Sequence, residues 1–345
     1  MRIIQFENSA GQRSFGVVRG DDVLSITAQN PSLNNVYAAF FFAARPRAKR
    51  LQDFLEEILR LALDGVVLSY PDLLARGKVL APISEEPGIN PRSRLLISGT
   101  GLTHTGSVEQ RDEMHKKEMS SVPKSDSRAM FEMGLSGGRP AAGQRGTAPE
   151  WFYKGDARIL RGPGQPLDIP SFAPDGGEEP EVAGVYIIDR QGTPCRIGFV
   201  QGNEWSDHVT ENINYLYLAP SKLRTCAIGP ELVTDLSFDD IHGRCRVVRH
   251  DKIIYDSGEL CTGERHMCHS LANLEDHHFK FPQHRIPGDI HVHFFGTSKL
   301  SFQHRDWKYQ DGDMVEVSFD KLGQPLRNPV RRERPSESPI TTVLA

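Results

Sequence analysis

The residues best placed to do chemistry in this 345-residue chain are Glu179-Pro180-Glu181 and, a short span downstream, Glu204. In an extended segment, residues two apart project from the same face, so Glu179 and Glu181 converge. Three converging carboxylates repel one another unless something positive sits between them. All-oxygen ligation suits a hard cation, Mg2+ first, with Mn2+ or Ca2+ as alternatives. Taken alone, a Glu-x-Glu pair also fits a solvated strand face, so the elements that carry it must decide.

Composition sets the frame for those elements. Hydrophobic residues at 38% and charged residues at 25% describe an ordinary soluble globular protein, large enough for a sizeable core. A net charge of -4 gives no general basic field for nucleic acid or an anionic membrane. The longest apolar run, 36–44, is too short to cross a bilayer. Residues 1–6 read as a first strand, not a secretory signal. Five scattered cysteines in a chain of this size point to reduced thiols and a cytoplasmic setting. Cys261, His266, Cys268 and His269 lack the paired spacing of a structural zinc site.

Along the chain, 1–85 reads as a small α/β module. Strands are expected at 1–6, 15–19 and 23–26, with a hairpin turn at Gly20-Asp21-Asp22. Leu51, Phe54, Leu55, Ile58 and Ala62 follow helical spacing. Pro82 and Pro87-Gly88 mark a boundary. Residues 93–98 read as a short buried strand, and 122–149, rich in Ser, Gly and Pro, as a long loop or lid. Short strands then follow at 182–188, 196–200, 245–249, 290–295 and 314–318. The segment from 331 is polar and Pro-rich, and is expected to be disordered. The fold class is therefore α+β, mainly β, with a catalytic domain over 86–330 and a tail over 331–345.

Several of these residues, in order, resemble a known family. Phe152-Tyr153-Lys154, Gly162-Pro163-Gly164 and Glu179-Pro180-Glu181 are similar to blocks of the fumarylacetoacetate hydrolase superfamily. So are 198–204, Lys222 upstream of Gly229-Pro230, Pro287-Gly288-Asp289-Ile290, Gly296-Thr297, Gly312-Asp313-Met314-Val315 and Leu322-Gly323. Glu178 to Glu181, 203–208 and 277–280 resemble the subgroup of 2-keto-3-deoxy-L-arabinonate dehydratase-like proteins, over nearly the whole chain. The resemblance implies a mixed-sheet roll or barrel, a homodimer, and a hard ion held by Glu179, Glu181 and Glu204. Three departures stand out. Glu204 replaces the usual Asp, His208 and Glu211 stand where the hydrolases carry Arg and Gln, and a tyrosine is missing before His104.

The chemistry that the resemblance implies is enolate formation from a chelated 2-keto acid. What leaves depends on C4: a hydroxyl gives dehydration, a second keto group invites hydrolysis, and a carboxylate leaves as carbon dioxide. Dehydration of a small 2-keto-3-deoxy sugar acid to 2-oxoglutarate semialdehyde is the leading expectation. A C-C hydrolase or decarboxylase is second, and a non-catalytic sugar-acid binder third. Lys222 is expected to bind the substrate carboxylate or take the C3 proton, and His104 to serve as general acid. Glu211 would act as base or orient that acid, while Gly296, Thr297 and His208 contact substrate. His277, His278, His291 and His293 are expected to pack, and Phe40-Phe41-Phe42 to lie in the core or at a subunit contact.

Overall fold

The computed structural model describes residues 1–43, 50–61, 65–85, 94–105, 125–334 and 339–344. Ala62, Pro87-Gly88, position 93, residues 122–124 and tail positions 335–338 and 345 lie outside them.

The strand Pro180–Ile188, which begins inside the Glu-x-Glu motif, is buried at all nine positions. A strand buried on both faces loses alternation and becomes a continuous apolar run, as Val-Ala-Gly-Val-Tyr-Ile-Ile here. It pairs antiparallel with Pro194–Asn203 on one side and Ile290–Phe294 on the other. Ile290–Phe294 runs parallel to Leu95–Gly101, which pairs with the edge strand Glu150–Asp156. Pro180 opens its strand, a position where a missing N–H is tolerated.

On the far side, Leu232–Val233 joins Pro194–Asn203 to Arg2–Glu7, and the sheet continues through Arg13–Arg19 and Asp22–Ser25. Residues 1–85 thus share a continuous sheet with the motif strand. Ile3, Phe15, Phe40 and Phe41 pack in one apolar cluster with Ile97, Val185 and Val292. Phe42, by contrast, is half-exposed. The helix expected from Leu51, Phe54, Leu55 and Ile58 is Leu51–Leu61.

A second sheet orders Lys252–Asp256, Ile241–Arg249, Met314–Phe319, Leu326–Arg332 and Leu167–Ile169, with Leu260–Thr262 beside Ile241–Arg249. Phe199, Phe238, Phe295, Val247 and Val315 fill the core it shares with the first sheet. The architecture is mainly β with mixed sheets. The expected loop at 122–149 instead contains the helix Asp126–Gly137, whose first turn is capped by Ser125 accepting from Arg128 N–H. Gly134 and Gly137 lower helix propensity and hid it, but glycine is needed there: a Cβ at Gly134 would collide with Cys268 and His269. Leu326–Arg332 likewise extends two residues into the tail, paired with Leu167–Ile169.

Candidate metal centre

The hairpin Pro180–Ile188/Pro194–Asn203 delivers the three glutamates from its open end. Pro180 faces Asn203, and beyond that pair the ladder continues as Glu204 N–H to Glu179 O at 2.9 Å. Gly177 and Ser206 then exchange two backbone bonds. Asn203 Oδ1 accepts from Glu179 N–H at 3.1 Å. Carboxylate oxygens of Glu179, Glu181 and Glu204 lie within 4.8 Å of one another, all buried.

Two ammonium groups serve them. Lys222 Nζ lies 2.5 Å from Glu179 Oε1, 2.6 Å from Glu204 Oε2 and 3.1 Å from Ser206 Oγ, over the face of Phe152. Lys154 pairs with Glu204 and donates to the carbonyls of Glu204, Trp205 and Lys222 at 3.1, 2.6 and 3.0 Å. Glu211 is a fourth buried carboxylate, one helical turn after His208 on His208–Ile213. His208 Nε2 is 2.9 Å from Glu179 Oε1. A Cβ at Gly177 would collide with that imidazole, so only glycine admits the ring. Oxygens of Glu179 and Glu211 and a His208 nitrogen form a second close group.

Four buried carboxylates, Glu179, Glu181, Glu204 and Glu211, thus face two lysines. Burial acts downward on His208, but the hydrogen bond and charge of Glu179 outweigh it and raise its pKa. The all-oxygen donor set of the three clustered glutamates fits a hard divalent cation. Glu181 shows the crowding most. Burial, and then the charges of Glu179 and Glu204, push its pKa well above the usual carboxylate range. Burial also pushes Glu179 up, but Lys222 and His208 outweigh it and hold Glu179 well below that range. For Lys222 burial acts downward, and the charges of Glu179, Glu204 and Glu211 overcome it, so its pKa is raised.

Glu179 and Glu181 line a cavity of about 20 Å³ together with Lys222, His208, Glu211, Leu102, Leu300 and Thr297, with Glu204 set behind them. That is room for one ion or water. The Gly296 N–H, expected to meet substrate, is donated instead to Glu181 Oε2 at 2.8 Å. The left-handed φ of 94° at Gly296 turns it there, and a Cβ would strike Thr103. Thr297 does line the cavity, its hydroxyl donating to Lys299 O at 2.9 Å.

His104 is a correction. It is not among the cavity-lining residues. Its Nδ1 lies 2.9 Å from Thr103 Oγ1 and its Nε2 3.0 Å from Thr262 Oγ1, and its backbone bridges Met267. Burial, with a smaller push from His266, lowers its pKa to about 3. A neutral ring with both nitrogens against threonine hydroxyls is a poor acid, and it stands outside the described lining of the cavity.

Comparison with known proteins bears on this arrangement. No protein-family model matches the chain. A probable 2-keto-3-deoxyxylonate dehydratase of Haloferax volcanii is 26% identical over 248 residues, 70% of this chain and 76% of that one. The solved structure of 2-keto-3-deoxy-D-arabinonate dehydratase with magnesium and 2,5-dioxopentanoate superposes with a TM-score of 0.66. It is 17% identical, over 97% of this chain and all of that one. Fumarylacetoacetate hydrolase from the psychrophile Exiguobacterium antarcticum superposes at 0.59, 15% identical, over 96% of this chain and all of that one. The chain has the fumarylacetoacetate hydrolase fold.

Within the fumarylacetoacetate hydrolase fold, sequence reasoning missed Lys154 as a member of the site. The signal was present: Glu150–Asp156 alternates, with Glu150, Phe152 and Lys154 inward and Trp151 and Tyr153 outward. A fully buried lysine on the inner face of a strand needs an acidic partner, and Glu204 is that partner. Glu178, next to the ligand pair, points elsewhere. It accepts from Ser301 N–H at 2.6 Å and Ser301 Oγ at 2.9 Å, and so anchors the segment after Thr297.

Proposed function

We propose that this chain is a magnesium-dependent hydro-lyase that removes water from a 2-keto-3-deoxy sugar acid. The observation that carries the reading is the buried trio Glu179, Glu181 and Glu204, whose carboxylate oxygens lie within 4.8 Å of one another. The dehydratase relatives support it, one of them bound to magnesium and 2,5-dioxopentanoate, which is 2-oxoglutarate semialdehyde. No relative supports Mn2+ or Ca2+ in place of Mg2+.

Glu179, Glu181 and Glu204 would hold the ion. A bound Mg2+ would polarise the keto oxygen of a chelating 2-keto acid and so acidify its C3–H. Lys222, kept protonated at Nζ by its carboxylate neighbours, is suited to bind the substrate carboxylate or give a proton to the departing C4 hydroxyl. That removes it as the C3 base. The Glu211 carboxylate, facing the same cavity, takes that role in this reading. His208, fixed through Nε2 to Glu179, orients the wall between Glu211 and the ion. Loss of the C3 proton and the C4 hydroxyl together is one water and leaves a C3=C4 enone with an alcohol at C5; moving a C5 proton to the keto oxygen gives a dienol, whose tautomerisation yields the 2,5-dioxo acid.

Purified chain with Mg2+ should be offered the two forms of 2-keto-3-deoxypentonate, which differ only at C4: the L form, derived from L-arabinonate, and the D form, the same compound whether derived from D-arabinonate or D-xylonate, with 2,5-dioxopentanoate as the readout. Semialdehyde without pyruvate or carbon dioxide supports the lyase, and the preferred isomer names the substrate. Pyruvate or carbon dioxide would replace it with the hydrolase or decarboxylase reading. Tight binding with no turnover of any of these acids would leave a sugar-acid binder.

A further inference from the structure

We propose that Asp240, His242 and His266 form a second metal site, on the second sheet, that takes a borderline transition ion such as Zn2+. Two imidazoles and one carboxylate are the donors such ions prefer, whereas Mg2+ prefers oxygen alone. Asp240 precedes the strand Ile241–Arg249, His242 lies in it, and His266 ends the short helix Glu264–His266. That helix is tied back by Glu264 N–H to Phe238 O and Arg265 N–H to Asp239 O, both at 3.0 Å. The three ligand atoms lie within 4.8 Å of one another. Asp240 Oδ1 is 3.2 Å from His242 Nε2 and 2.7 Å from His266 Nε2. Ligands bound about 2.0–2.1 Å from zinc stand roughly 3.3 Å apart at a tetrahedral angle, so little rearrangement is needed.

Two of the three ligands are also held from behind. His242 Nδ1 faces Glu259 Oε1 at 3.2 Å, and Cys261, its partner across the ladder, lies 3.6 Å from the same nitrogen. A neutral imidazole has a single N–H. Donated to Glu259, that proton leaves the Nε2 lone pair aimed at Asp240 Oδ1, lone pair against lone pair. An ion on the Nε2 side resolves the conflict and makes Glu259–His242–metal the carboxylate–histidine–zinc relay that orients ligands in zinc proteins. The competing resolution is the other neutral tautomer, its Nε2–H donated to Asp240 Oδ1 and its Nδ1 accepting from the Cys261 thiol. Arg265 Nη1 holds Asp240 Oδ2 at 2.8 Å, which leaves Oδ1 for the ion. Asp239, Asp240 and Glu259 together outnumber the neighbouring cations Arg265 and Lys299. The ligand side chains are about a third exposed, at 33%, 42% and 29%, so the site opens to solvent.

The ion would act as a clamp. It would join the strand Ile241–Arg249 to His266, next to Met267, which bridges His104, and Cys268, whose N–H donates to Thr103 O at 2.9 Å. That segment leads directly to Leu102 on the cavity wall.

Zinc bound per chain is counted by equilibrium dialysis of the chelator-stripped full-length protein. His242→Ala and His266→Ala should each bind one zinc fewer than the parent chain, and Glu259→Gln should bind it ten- to a hundredfold more weakly. Zinc should raise the Tm of the parent chain more than that of either alanine variant, with circular dichroism confirming that both are folded. Equal zinc counts in the parent chain and the folded variants would overturn the proposal and leave the hydrogen-bonded tautomer as the explanation. Neither readout depends on turnover, so failure here says nothing about the glutamate centre.

Discussion

Among single residues, Glu181 separates the ion from the scaffold. Burial and the charges of Glu179 and Glu204 push its pKa well above the usual carboxylate range, so Mg2+ competes with a proton for it. Calorimetry in buffers of different ionisation enthalpy should show proton release on Mg2+ binding, and affinity should fall as pH is lowered. Glu181→Gln removes both the charge and the release. Mg2+ affinity and turnover are expected to fall by at least about a hundredfold with Tm held near the parent value, and unchanged turnover at limiting Mg2+ would refute the ligand assignment. Lys154→Met strips Glu204 of its fully buried partner, and breaking such a pair costs about 3–5 kcal/mol. Denaturant unfolding would measure that loss. His104→Asn, by contrast, should keep kcat within severalfold, because the ring stands outside the described lining of the cavity. That Glu179 and Glu181 lie side by side was legible because an extended chain alternates its faces, whereas Glu204 joined them in the reading through the family resemblance. The place of His104 was not legible, since its enclosing partner Thr262 is 158 residues away.

Of the elements, the motif hairpin is the best determined and the N-terminal strands depend on it. The strands were legible as apolar alternation, yet nothing local shows that Arg2–Glu7 pairs with Leu232–Val233. Glu231 makes that junction. Fully buried, it accepts from Arg2 Nη2 at 2.8 Å, Tyr70 Oη at 2.8 Å and Gln324 N–H at 3.0 Å. Glu231→Ala leaves all three donors unmatched and is expected to destabilise the chain by about 3 kcal/mol. A Tm within one degree or so of the parent would show the junction to be dispensable. Helix Asp126–Gly137 shows the reverse failure. Its capping serine was visible, but glycine and serine content outweighed it in the reading.

For the molecule as a whole, buried neutral histidines set the response to acid. Burial lowers His291, His293 and His104 to about 3 and His269 to about 4. His278 stacks on His293 with ring centroids 4.3 Å apart and bonds His291 Nδ1 at 3.0 Å. Between pH about 6.5 and about 3 the unfolded chain binds protons that the folded chain refuses. Their contribution is therefore complete above about pH 6.5 and lost progressively as pH falls, a trend that Tm measured across pH 4 to 8 would test. No described helix is long and apolar enough to cross a membrane. Leu216 and Phe172 are 81% and 77% exposed, near the exposed Ile213 and Leu223. On that basis a homodimer is proposed, to be checked by sedimentation against the 38.6 kDa chain mass. The hairpin that carries the proposed metal ligands bears none of Lys222, His208, Glu211 or Thr297, which arrive on the short helices after it and on a distant turn. The proposed function therefore places reactivity and selectivity on separable stretches of chain. Swapping the 208–211 turn between relatives should redirect which bond breaks while the cation stays seated.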